Sequence, residues 1–103
     1  MKMKDQEYNR TLLREYYRGN EDLLYYILEY NLDLIIPIIN KFKTEFNLSN
    51  EYVYINVLEQ FINAINKYSL EKSSTFENYV NSYIEVKLEE KFRNTNYQYK
   101  IKK

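Results

Sequence analysis

The side chains able to do chemistry in this chain are few in kind. Its 103 residues include no Cys and no His. That removes disulfides, thiol nucleophiles and thiolate metal sites, together with the commonest general base and zinc ligand. Catalysis would have to rest on carboxylates, Lys, Tyr or Ser. The adjacent pairs Glu21/Asp22 and Glu89/Glu90 would point about 100° apart on a helix and do not make an acid/base pair. Glu85 and Glu89 share a helical face, but the sequence places no further ligand beside them to complete a metal site. No catalytic residue, metal or cofactor follows, and the chain reads as non-enzymatic.

What the chain has in excess is aromatic rings: 13 Tyr, beside no Trp, one Gly and one Pro. Tyrosine is a large ring with a polar tip, suited to core edges and to stacking on bases. The zero net charge hides a division, because residues 19–66 carry two basic and seven acidic side chains while residues 91–103 carry five basic and none acidic. In that basic end Lys91, Arg93, Lys100, Lys102 and Lys103 interleave with Phe92, Tyr97 and Tyr99. The pattern is compatible with phosphate contacts plus stacking, and equally with a solvated basic tail.

The elements that position these groups are predicted to be helices. Turn residues are scarce and β-branched alternation is absent, so one all-α domain is expected, a compact bundle of four to five helices spanning residues 1–93, followed by a basic flexible tail, 94–103. A first helix over 5–18 stops at Gly19 in a left-handed conformation. Asn20 is the expected N-cap of the second, with Glu21 and Asp22 in its first turn and Leu23, Leu24, Ile27 and Leu28 on its apolar side. After a break at 31–33, the third helix starts near Asp33, which keeps Pro37 close to its first turn. Ser49 or Asn50 caps a fourth helix, 51–68, whose apolar side holds Tyr54, Val57, Leu58, Phe61, Ile62, Ile65 and Tyr68. Its polar side carries Glu51, Asn56, Gln60, Asn63 and Asn66. Ser74 or Thr75 caps the last helix, with the stripe Phe76, Tyr79, Val80, Tyr83, Ile84, Leu88 and Phe92. The longest apolar stretch, 34–39, is six residues, against ~20 for a membrane span. With no apolar leader at the start, a cytoplasmic, non-membrane protein is expected.

Three pieces of the sequence, in this order and spacing, resemble the second conserved region of bacterial RNA polymerase sigma factors. The first is Leu12-Leu13-Arg14-Glu15-Tyr16-Tyr17-Arg18-Gly19-Asn20-Glu21-Asp22-Leu23, followed by Ile27, Leu28, Tyr30, Leu34 and Ile35. It is similar to the family's opening, where a helix ends in a basic residue, Gly and Asp or Asn. The second is Phe61-Ile62-Asn63-Ala64-Ile65-Asn66-Lys67-Tyr68-Ser69, and the third is Ser73-Ser74-Thr75-Phe76-Glu77-Asn78-Tyr79-Val80-Asn81-Ser82-Tyr83-Ile84. Together they cover roughly residues 8 to 93.

The resemblance implies a transcription initiation component, a helical domain that binds core RNA polymerase and single-stranded promoter DNA without covalent chemistry of its own. Tyr79 and Tyr83 match the aromatic positions of the family's melting segment and Lys72 its preceding basic residue. Lys87, Lys91 and Arg93 complete the DNA-binding set. The polymerase-facing set is Asn56, Glu59, Gln60 and Asn63. The chain stops where such proteins continue to a domain reading the upstream promoter element, so a second protein supplying that recognition is a further expected partner. The family's acidic clamp signature aligns with Tyr52-Val53-Tyr54-Ile55-Asn56, which lacks its acidic groups. An interaction module or transcription regulator that keeps the fold without promoter recognition is therefore the alternative.

Overall fold

A computed structural model of the chain describes residues 6–70 and 74–102, with side chains over 7–70 and 74–94. The described residues form five helices and no strand: α1 (Gln6–Tyr17), α2 (Leu23–Tyr30), α3 (Leu32–Phe46), α4 (Asn50–Lys67) and α5 (Phe76–Lys102). Helices α3, α4 and α5 pack against one another, and α1 packs on α2 at their side. No single helix among the described residues is long and apolar enough to cross a membrane.

Spacing decides what is buried. On α5, Phe76, Val80, Ile84, Leu88 and Phe92 recur every fourth residue and are all buried. They meet Val53, Val57, Phe61, Ala64 and Ile65 of α4, and Ile35, Ile38, Ile39, Phe42 and Phe46 of α3, in one continuous core. Aromatic rings close both ends of this core. At one end Phe92 lies 5.6 Å from Phe42, 5.9 Å from Phe46 and 5.8 Å from Tyr52, centroid to centroid. At the other, Phe76 lies 6.2 Å from Phe61 and 5.3 Å from Tyr68. The Phe42–Phe92, Phe61–Phe76 and Tyr68–Phe76 pairs are edge-to-face, an arrangement that adds to the simple burial of area.

Gly19 ends the first segment at φ 111°, a conformation that side chains with a Cβ rarely adopt. Asn20 does not cap α2 as expected. Its carbonyl accepts from Leu23 N in a turn, and α2 starts after Asp22, which makes no side-chain capping bond. Two other expected caps form: Ser49 accepts from Tyr52 N at 3.2 Å and Thr75 Oγ1 from Asn78 N at 3.2 Å. Pro37 sits in the second turn of α3, not the first, because the helix begins at Leu32. Its missing donor leaves one rung out of the ladder that would run to the carbonyl of Asp33.

A buried amide pair fixes α1. Asn9 and Asn31 are both fully buried, and each donates to the other, Asn9 Nδ2 to Asn31 Oδ1 at 3.1 Å and Asn31 Nδ2 to Asn9 Oδ1 at 2.9 Å. Asn31 Nδ2 also donates to the carbonyl of Ile27 at 2.7 Å. Asn31 is at once the end of α2 and the start of α3, so the pair ties α1 to that corner. Buried polar groups this fully bonded cost little and specify one arrangement.

The last helix continues past Phe92, the last buried residue among its described side chains. Sequence periodicity ends the helix there, whereas the helical backbone runs on through 94–102 to Lys102. No Gly or Pro interrupts that segment, and each added residue gains one backbone bond.

Candidate nucleic-acid interface

Three side chains expected to contact DNA come together on one edge of α5. The helix is started by Thr75, and the segment leading into it is pinned by Tyr68, whose O–H donates to the carbonyl of Ser74 at 3.1 Å. Tyr68 is buried. Its ring lies 5.3 Å from that of Tyr79. Tyr79 in turn lies 6.0 Å from Tyr83, the two rings inclined by only 31°. One turn further on, Lys87 Nζ stands 5.6 Å from the Tyr83 ring centroid. Tyr79 and Tyr83 are half-buried: one side of each packs on the core, the other is open.

An open concavity of about 310 Å³ lies along this edge, lined by Tyr79, Ser82, Tyr83, Val86 and Lys87. Val86 is 67 % exposed, so the concavity has an apolar lip as well as aromatic walls. Planar apolar surfaces beside an exposed cation are what an unpaired base and its phosphate require.

The remaining expected DNA contacts are placed differently. Lys72 lies outside the described residues. Lys91 turns its Nζ to Asn56 Oδ1 of α4. Arg93 pairs with Glu89 and, at 3.8 Å, with Glu45 of α3, and its guanidinium stands 5.6 Å from the Phe46 ring centroid. The bond and charge of Glu89 raise the Arg93 pKa further, so the guanidinium stays charged beside its two carboxylate partners at the α3–α5 seam.

The expected polymerase-facing set divides in the same way. Glu59 and Asn63 are exposed on α4, Gln60 is half-buried, and Asn63 Nδ2 reaches Gln60 Oε1 at 3.4 Å. Asn56 is a correction: it is only 4 % exposed. Its position falls between Val53 and Val57 on the inward side of the helix, where its amide donates to the carbonyl of Tyr52 at 2.8 Å and accepts from Lys91. The outward side of α4 instead shows Ile55, 65 % exposed, together with Ile62 and Tyr54. Two members of the expected apolar stripe, Tyr54 and Ile62, are thus at the surface.

Carboxylates near the interface are occupied by cations. Glu85 pairs with Lys41 of α3 at 3.3 Å and Glu89 with Arg93. No group of Asp and Glu among the described residues is arranged to hold a metal ion. Of the α2 tyrosines, Tyr25 and Tyr26 are largely exposed. Tyr16 and Tyr17 are engaged: Tyr16 O–H donates to Asn66 Oδ1 at 3.2 Å and Tyr17 O–H to the carbonyl of Ile65 at 2.6 Å.

Sequence reasoning missed Asn9 and the part Tyr17 plays at the end of α4. A polar residue beside buried Leu12 and Leu13 on the α1 face was the available signal for Asn9. Nothing local marks Tyr17, whose partner lies 48 residues away. No protein-family model, curated protein or solved structure matches this chain.

Proposed function

We propose that the protein is a non-catalytic transcription initiation component, a sigma-like helical domain that docks on core RNA polymerase and holds a single strand of promoter DNA along α5. The observation that carries this reading is the grouping of Tyr79, Tyr83 and Lys87 on one open edge of α5. Aromatic rings stack on bases of any sequence, and a Lys beside them supplies the phosphate contact. The likeness of the sequence pieces to sigma factor region two adds the polymerase. On that reading Glu59, Gln60 and Asn63 form the polymerase-facing side of α4, and Asn56 acts from inside by holding α4 to α5.

A second reading, a protein-interaction module without promoter recognition, is favoured by Ile55 and Ile62 exposed on the outward side of α4. Pull-down with core RNA polymerase and titration with a single-stranded oligonucleotide together separate the two. The first reading expects association with the polymerase and strand binding that weakens as salt rises. Association without strand binding selects the second, and absence of both rejects the polymerase assignment.

A further inference from the structure

The aromatic surface does not stop at Tyr79. Tyr17, the last residue of α1, is tied to the end of α4: its O–H donates to the carbonyl of Ile65 at 2.6 Å and, more distantly, to that of Tyr68 at 3.2 Å. The carbonyl of Ile65 is one of the four that α4 leaves without an intrahelical partner at its C-terminus. Tyr68, whose carbonyl receives the longer of these bonds, sets its ring 5.3 Å from that of Tyr79, which links Tyr17 to the α5 edge. Because its hydroxyl is fixed to the backbone, the ring is held at one angle while 39 % of the residue remains exposed. A ring oriented in advance loses little freedom when a base stacks on it.

Two exposed cations belong to the two chain segments that the Tyr17 hydrogen bonds join. Arg18 follows Tyr17 directly, and Lys67 closes the last turn of α4 just before Tyr68. Arg18 contacts Glu15 at 2.7 Å, an exposed pair of the kind that contributes little and leaves the cation able to change partners.

We propose that the strand held on α5 continues over the C-terminal ends of α4 and α1, with Tyr17 as a further stacking residue and Arg18 and Lys67 as phosphate ligands. The proposal rests on the strand-binding part of the function proposed above. It implies a site on the order of four nucleotides, the small end of the range for such surfaces.

The test is fluorescence titration of the full chain with an oligothymidylate at two salt concentrations, for the wild type, Arg18→Gln/Lys67→Gln, Tyr17→Ala, Tyr17→Phe and Tyr83→Ala. The double variant is expected to reduce the slope of log affinity against log salt by roughly 1.4, about 0.7 for each phosphate no longer neutralised. Tyr17→Ala is expected to weaken binding about 5-fold or more, and Tyr17→Phe, which keeps the ring, by less. Circular dichroism checks folding. Should Tyr17→Ala not fold, the double variant decides alone, since both its residues are exposed. A double variant with the wild-type slope, while Tyr83→Ala weakens binding, overturns the extension and leaves the α5 site standing. A wild type that binds no oligothymidylate overturns both.

Discussion

Lys87 and Lys91 stand one turn apart on α5, and their ammonium groups are put to opposite uses. Lys91 reaches across to α4 and donates to Asn56, a buried amide. Lys87 stays over the open Tyr83 ring beside an apolar concavity. The residue type is the same and so is the helix. What differs is the group the neighbouring element presents: α4 offers Lys91 a buried acceptor, whereas Lys87 has an aromatic face and solvent. One lysine thereby belongs to the packing of the domain and the other to its surface chemistry.

The largest effect expected on the Lys91 side comes from the ring next to it. Phe92 joins Phe42, Phe46 and Tyr52, so Phe92→Ala should cost about 3–5 kcal/mol in urea denaturation, a large share of the stability of a domain this size. Next comes the polar link. Asn56→Ala leaves the Lys91 ammonium without its partner and should cost about 1–3 kcal/mol, with strand affinity unchanged in the folded protein. Weaker strand binding in that variant at wild-type stability would return Asn56 and Lys91 to the binding surface.

On the Lys87 side the signs reverse. Tyr83→Ala should weaken single-strand binding by about 5- to 100-fold, as expected for one stacking residue, while shifting the urea midpoint only modestly, since the ring is half-buried. Unfolding of this variant would instead assign Tyr83 to the core.

A smaller effect concerns the clasp between α1 and α4. Burial, followed by the neighbouring phenols of Tyr68, Tyr16 and Tyr79, pushes the Tyr17 pKa from 10.0 up to about 12. The folded value lies above the unfolded one, so the clasp stabilises fully below the unfolded pKa and its contribution is lost as pH rises toward the folded value. A spectrophotometric titration should show a tyrosine ionising late, and Tyr17→Phe should abolish that step. An unchanged titration in Tyr17→Phe would contradict the clasp.

Much of the fold was legible because local rules and tertiary packing agree in it. Gly19, Ser49 and Thr75 stand where backbone geometry and orphan donors call for those residues, and the four-residue spacing from Phe76 to Phe92 marks the buried side of α5. Legibility failed where residue type and helical position disagree. Asn56 looks polar and therefore outward, yet it lies at an inward position between Val53 and Val57. Ile62 looks apolar and therefore inward, yet α4 exposes it. Pairings between distant segments were beyond reach too: Asn9 with Asn31, Tyr17 with Ile65, Lys91 with Asn56. Each needs the helices already docked before the partner is defined. For the α5 edge, Tyr79 and Tyr83 were readable, but only docking separates Lys87 from Lys91 and Arg93.

The most direct test of the α5 edge as a strand-binding site is a paired measurement: single-strand affinity against salt for Lys87→Gln and Lys91→Gln. Removing the Lys87 charge from the phosphate should lower the slope of log affinity against log salt by about 0.7, and Lys91→Gln should leave it at the wild-type value. Equal slopes in the two variants, or a change in Lys91→Gln alone, would contradict the account.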